Sequence, residues 1–343
     1  MDRTRLVESR FDRQVRAFGA SAQARLRDLT VAVVGVGGAG SLVVQGLAHL
    51  GIGRLLVVDP DVVETTNLNR VVGATPDDAR RSRPKVEVAA RLARAVDPAL
   101  PVAATHGGVL DAEIWQALRC ADVIVGAVDG HAPRWALNVL AVQYGRLYID
   151  IGVGISRSPD APAAAVSESD PGPAVSEGNP GPDVDEAPAA AGTLDVGGHI
   201  AVVRQGGPCL LCQCGYDPTV AALELDPAAQ AARRAAGYLP ADVDAPAPSV
   251  LFLNQAVVAF ALGEVLNWVW PWRPPATHLL VDLVRPAVVT LDADRVDDCP
   301  ACGSSSVRGL GDAGGIPPFP SPMRSRPPAV PVPALRGPSP YDQ

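Results

Sequence analysis

Residues 30–59 read TVAVVGVGGAGSLVVQGLAHLGIGRLLVVD, and the fold is decided here. Thr30–Val34 is a short β-branched apolar run that meets glycines at Gly35, Gly37, Gly38 and Gly40. A helical pattern follows over Ser41–Leu50, and a second apolar run, Leu55–Val58, ends at Asp59. Strand, tight loop, helix and strand make a βαβ unit, so the sheet begins as parallel. GVGGAG fits G-x-G-x-x-G, in which glycines turn the chain tightly and let the backbone approach a phosphate at a helix N-terminus. Asp59 is an acceptor for ribose hydroxyls, which NAD and ATP both carry, so it does not choose between them.

The alternation continues with helices expected at 84–96, 111–120 and 133–143 and strands at 101–105, 123–128 and 147–151. This predicts an α/β fold: a Rossmann-like doubly wound sheet, mostly parallel. Order resumes at GGHIAVVRQGG, with helices near 219–236 and 249–269 and closing strands near 278–284 and 287–292 forming an antiparallel C-terminal extension. The expected division is an N-terminal helical arm (1–29), an ATP-binding core (30–156), a disordered Pro/Ala-rich insertion (157–196), a C-terminal part of the core (197–303) and a disordered tail (304–343). The insertion and tail are assigned on their lack of large apolar residues and their Pro, Gly and Ser content.

Composition excludes several classes. The chain has 29 Lys plus Arg against 37 Asp plus Glu, and no basic stripe with interleaved aromatics, so nucleic acid is not an expected partner. The apolar stretch 250–270 carries Asn254, Gln255, Glu264 and Asn267, which reads as a buried helix rather than a membrane span. The N-terminal stretch is charged, with no secretory signal or anchor, so a cytoplasmic location is expected.

The residues after Asp59 separate the two nucleotides. Hydride transfer needs no cluster of Asn67, Asn69, Arg70 and Lys85, whereas a triphosphate needs positive charge and donors. No GxxxxGK[ST] is present, so Arg70 and Lys85 are the candidate phosphate-binding cations. With Asp59-Pro-Asp61 leading into Asn67-Leu-Asn-Arg70, the sequence resembles the ThiF/MoeB/HesA family, relatives of the ubiquitin-activating enzymes. ESRFDRQVRAFG (8–19), GVGGAG, DPDVVETTNLNR, RPKVEVAARL and DVIVGAVDGHAPRWALN (122–138) follow in family order.

The resemblance implies an adenylyltransferase that activates the C-terminal glycine of a ubiquitin-like or sulfur-carrier protein ending in Gly-Gly, using ATP and Mg²⁺ and releasing pyrophosphate. By motif position it places Gly35, Gly37, Gly38, Gly40, Asp59 and Asp61 in nucleotide binding, Asn67, Arg70 and Lys85 on the phosphates, and Asp129 on Mg²⁺. Arg13 would enter the neighbouring subunit's site, which implies a homodimer; by residue spacing alone, Arg10, Arg13 and Arg16 make a solvated helix face. Two departures stand out: Ser82-Arg83-Pro84-Lys85 replaces G-x-P-K, and Asp129-Gly130-His131 replaces a D-N continuation. His131 reads as a helix-start residue rather than a proton carrier, since adenylation asks for no general base.

Cys209-Leu-Leu-Cys212 and Cys299-Pro-Ala-Cys302 form two CxxC pairs that together match a structural Zn²⁺ site, with unmetallated or redox-active pairs as the alternative. Cys120 is expected as a small buried hydrophobe. Cys214 is open to three readings: a covalent thioester or persulfide carrier, an idle thiol, or an alternative metal ligand. The rival functions are an NAD(P)-dependent oxidoreductase, which the glycine loop alone permits, and a nucleotide-binding scaffold without catalysis.

Overall fold

In the computed structural model, which describes residues 10–158, 193–226, 228, 231 and 248–315, the β-branched run Thr30–Val34 is strand β1. Two short helices precede it, α1 (Asp12–Phe18) and α2 (Ala20–Asp28). The glycine loop leads into α3 (Gly38–Leu50), closed by Gly51 in the left-handed conformation, and then into β2 (Arg54–Asp59). A 3-10 turn at Thr65–Asn67 and helix α4 (Pro76–Arg80) lead to α5 (Lys85–Val96) and β3 (Val102–His106). Then come α6 (Ala112–Leu118), β4 (Val123–Gly126), α7 (His131–Tyr144), β5 (Leu147–Ser158), β6 (Thr193–Val203), α8 (Pro218–Glu224), α9 (Leu251–Val269), β7 (His278–Asp282) and β8 (Ala287–Leu291).

The eight strands form one sheet in the order β3-β2-β1-β4-β5-β6-β7-β8. β1 to β5 run parallel and β6 to β8 join antiparallel, as expected for a parallel half with an antiparallel extension. Strand order reverses at β1, whose neighbours are β2 and β4, and ligands of open α/β sheets bind at the carboxyl end of such a switch point.

Apolar side chains cover both faces. One face buries Val31 and Val33 of β1 with Val43 and Leu47 of α3, Ala89 and Ala93 of α5, and Leu253, Val257 and Val265 of α9. The other buries Ile124 and Tyr148 with Trp115 of α6, Leu137 and Leu140 of α7, and three of the paired cysteines, Cys209, Cys299 and Cys302. The stretch Leu251–Val269 is long and apolar enough to cross a membrane, but over half of it is buried inside this fold. Its polar residues have partners there: Glu264 takes Arg204 and Arg273, and Asn267 Oδ1 accepts from the main-chain N–H of Trp272 and Arg273.

Three boundaries differ from expectation. The β5–β6 ladder extends to Arg157↔Leu194 and Ser158↔Thr193, so the ends of the 157–196 segment are strand; 159–192 lies outside the described residues. Antiparallel pairing needs only main-chain hydrogen bonds, so a polar sequence does not stop it. Residues 304–315 are also ordered, tied to α7 by Gln143 Nε2 donating to the carbonyls of Gly311 and Gly315 at 2.7 and 2.8 Å, while 316–343 lie outside the described residues. The helix expected near 219–236 is described as Pro218–Glu224, its continuation falling largely outside the described residues. Cys120 is exposed, not buried, because it lies just past the end of α6.

Candidate active site

The glycine loop is shaped by two close approaches. Gly35 has φ +82° and lies against the Ala127 carbonyl, and Gly40 packs on the Gly35 carbonyl so tightly that a Cβ would come within 1.8 Å of its oxygen. Gly37, by contrast, has nothing within 4 Å of where a Cβ would stand. It opens onto a cavity of about 200 Å³, bordered also by Gly38, Asn67, Arg70, Lys85, Asp129 and Arg134. The residues expected around phosphates and metal thus meet at the switch point of the sheet.

Asp59 is engaged by the main chain around it. It is buried, and its two oxygens accept the main-chain N–H groups of Val36 at 2.7 Å and Asp61 at 2.8 Å. It therefore clamps the glycine loop to the end of β2; burial raises its pKa, partly offset by those two N–H groups. Neither Asp59 nor Asp61 borders the cavity. Asp61 meets Lys85 Nζ at 2.8 Å.

The cations are held individually. Arg70 Nη1 donates to the Thr66 carbonyl at 2.6 Å and to Asn69 Oδ1 at 3.1 Å. Asn67 is buried and its Oδ1 accepts the Glu64 N–H at 3.1 Å, closing the 3-10 turn. The altered approach to Lys85 has its own anchor. Ser82 takes φ +45°, Arg83 Nε pairs with buried Asp78 at 2.7 Å, and Lys85 opens α5 with its side chain mostly buried at the cavity wall. Asp78 also accepts Arg91 at 2.6 Å and Thr75 Oγ1 at 2.7 Å, and the Arg91 bond, its strongest influence, holds its carboxyl well below the usual range.

Asp129 is exposed at the cavity and precedes α7. His131 starts that helix, and its Nδ1 accepts the Asp217 N–H at 2.8 Å. Arg13 is exposed on α1 and does not border its own chain's cavity. Cys214 is exposed with φ +56° and does not border the cavity.

Sequence reasoning missed four contributors. Asn254, a buried polar residue in apolar α9, sits over Gly38, so a Cβ there would meet its Nδ2 at 2.4 Å. Ser249, also at the cavity, accepts from Asn69 through its carbonyl. Glu224 Oε2 accepts the first N–H groups of α7, His131 at 2.8 Å and Ala132 at 2.7 Å, steadying the turn that carries Asp129. Asp150, fully buried on β5, holds Arg134 Nε at 3.3 Å and is itself held by the Tyr148 hydroxyl at 2.7 Å and His199 Nε2 at 3.2 Å. Burial, reinforced by Asp150, pushes the Tyr148 hydroxyl well above its ordinary pKa, so it stays a donor. A buried polar residue in an apolar run was the available signal for Asn254 and Asp150.

The four paired cysteines converge on the far side of α7. Their sulfurs all lie within 4.8 Å of one another, with Cys209–Cys212 and Cys209–Cys299 at 3.8 Å and Cys212–Cys302 at 3.5 Å. Sulfurs at about 2.3 Å from one tetrahedral ion would stand roughly 3.8 Å apart, so the cluster is able to hold a metal. Burial pushes the Cys209 thiol up to about 11, so a metal ion binding there would displace its proton. Asn138 ties α7 to this knuckle, accepting the Leu210 N–H at 2.8 Å.

The ThiF family matches residues 11–236, about two thirds of the chain and nearly all of the elements around the cavity. The chain belongs to the ThiF family. It is 35% identical over 150 residues to the SAMP-activating enzyme E1 of Haloferax volcanii, covering 42% of this chain and 55% of that one. It is 37% identical over 128 residues to the sulfur carrier protein adenylyltransferase of Thermus thermophilus, covering 37% and 46%. The chain thus spans about half the length of the curated relatives it matches. Among solved structures, E. coli MccB with MccA-N7isoASN aligns at a TM-score of 0.62 and 17% identity, covering 86% of this chain and 75% of that one, a likeness of fold. These ThiF-family relatives are named as adenylyltransferases and activating enzymes, which does not favour an NAD(P)-dependent oxidoreductase.

Proposed function

We propose that the chain uses ATP to adenylate the C-terminal glycine carboxylate of a ubiquitin-like or sulfur-carrier protein. The observation that carries this reading is the meeting of Arg70, Lys85, Arg134 and Asp129 around one cavity at the open glycine of the loop. The relatives' names supply the substrate class, since they act on a SAMP or a sulfur carrier protein.

In this reaction a carboxylate oxygen attacks the α-phosphorus, the bond to the β-phosphate breaks, and pyrophosphate leaves. Both reactants are anionic, so the barrier is largely electrostatic. The N–H groups at the start of α3 and the Gly37 opening receive phosphate oxygens. Lys85 exchanges Asp61 for a phosphate, and Arg70 gives up its Thr66 and Asn69 contacts in part. Arg134, fixed by Asp150 through Nε, keeps its terminal nitrogens for ligand oxygens. Asn67, whose Oδ1 is engaged, offers its Nδ2. An exposed carboxylate beside phosphate-binding cations fits Mg²⁺, with Asp129 as its protein ligand; the ion would neutralise phosphate charge. Asp59 uses its remaining acceptor capacity for the ribose hydroxyls while clamping the loop.

The cysteine cluster holds Zn²⁺ in this reading, joining the segment after β6 to the C-terminal segment. Arg13, exposed and not lining its own cavity, completes a second subunit's site in a homodimer, and the protein works in the cytoplasm. Cys214 has no required part in adenylation.

ATP–pyrophosphate exchange with Gly-Gly-ended carrier proteins tests the proposal. Exchange that depends on carrier and disappears in Asp129→Ala is expected. No exchange with any such carrier, together with no ATP binding, overturns it.

A further inference from the structure

A second cavity, of about 470 Å³, lies at the end of the sheet opposite the glycine loop, where β5 begins and β6 ends. Its walls come from the C-terminal end of α7, the turn Arg204–Gly207 and the C-terminal cysteine segment. They carry Arg204, Arg295 and Arg308, the amide of Gln205 and the main chain of Gly206–Gly207, and no carboxylate.

These charges are poorly compensated. Arg204 meets Glu264 at 3.3 Å, but Glu264 also takes Arg273, so one buried carboxylate serves two guanidiniums. The Nε of Arg204 is buried without a partner, and burial pulls the pKa of this arginine down. Among the described residues Arg295 pairs with Asp297, at 3.4 Å, and that aspartate's side chain is 96% exposed. Arg308 makes no side-chain ion pair among the described residues. Guanidinium groups at a partly enclosed surface call for counter-charge, and their planar forks match the oxygens of carboxylates and phosphates. The volume lies within the range of small-molecule sites.

We propose that this cavity binds a small multiply charged anion, a polycarboxylate or a phosphate ester, at a site separate from the nucleotide pocket. The competing role for the arginines is structural. Cys302 also borders the cavity, and four thiolates around a divalent ion carry excess negative charge that the guanidiniums would offset.

The test uses the full-length, metal-loaded chain, titrated calorimetrically with citrate and with inorganic phosphate at fixed ionic strength against a chloride control. Saturable binding of one equivalent of at least one of the two is expected, citrate or phosphate dominance telling the carboxylate from the phosphate source. The double variant Arg295→Gln, Arg308→Gln should weaken it at least tenfold with metal content unchanged. Lys85→Ala, which removes a cation from the nucleotide pocket, should keep this binding. No saturable binding, unchanged affinity in the double variant, loss of metal with loss of binding, or loss of binding in Lys85→Ala would each overturn the proposal.

Discussion

Lys85 Nζ lies 2.8 Å from the Asp61 carboxylate, at the wall of the glycine-loop cavity, with the lysine side chain 13% exposed and the aspartate 62%. An ion pair with one partner in solvent contributes little stability, so the lysine is easily handed to a phosphate. Lys85→Ala should therefore slow carrier-dependent pyrophosphate exchange by about 100-fold or more while leaving the melting temperature nearly unchanged. Asp61→Asn should change the rate by less than about tenfold. Equal losses in the two variants would show that the pair, not the lysine, is what matters.

Gly37 and Gly40 should part company when each is changed to alanine. A methyl at Gly37 meets nothing of the protein, so Gly37→Ala should fold normally and lose ATP affinity through contact with the nucleotide. At Gly40 the methyl would meet the Gly35 carbonyl at 1.8 Å, so Gly40→Ala should lower the melting temperature as well. Thermal melts beside ATP titrations distinguish these outcomes.

Asp78 predicts a pH dependence. Its carboxyl, 2% exposed, is held below the ordinary value of about 3.9, chiefly by Arg91. A depressed folded-state pKa gives stability that is complete above the unfolded value and is lost as pH falls through the folded one. Asp78→Asn should cost about 2 kcal/mol at pH 7 by chemical denaturation. That difference should shrink as the pH is taken below about 4. A gap that stays constant to pH 2 would assign Asp78 a purely steric role.

Metal content gives a further check. Purified chain should carry about one zinc, and Cys302→Ser should lower the occupancy and the melting temperature together. Because the cluster belongs to the same buried core as Leu140 and Tyr216, chelation should loosen α7 and with it the turn bearing Asp129. Hydrogen exchange at His131 and Ala132, before and after chelation, measures that link.

Much of the site could be read without coordinates. GVGGAG, Asn67, Arg70, Lys85 and Asp129 do meet, and the two CxxC pairs do converge. Less could be read of what each does. Asp59, read as a ribose acceptor, also holds the main-chain N–H groups of Val36 and Asp61, a clamp that local sequence does not announce. Cys120 looked buried because the helix before it packs in the core, yet that helix ends at Leu118 and the Cys120 side chain is exposed.

The sequence by itself determined the βαβ start, the parallel alternation, the cations of the glycine-loop cavity and the four-cysteine cluster. Those are local signals: side-chain period, glycine spacing and ligand pairs act over a few residues. Only the tertiary structure decided that Asn254 covers Gly38, that Glu224 caps the helix after Asp129, that Asp150 anchors Arg134, and that arginines gather at the opposite end of the strands. Such partners lie far apart in the chain and meet through strand order and helix docking. No short-range periodicity encodes them.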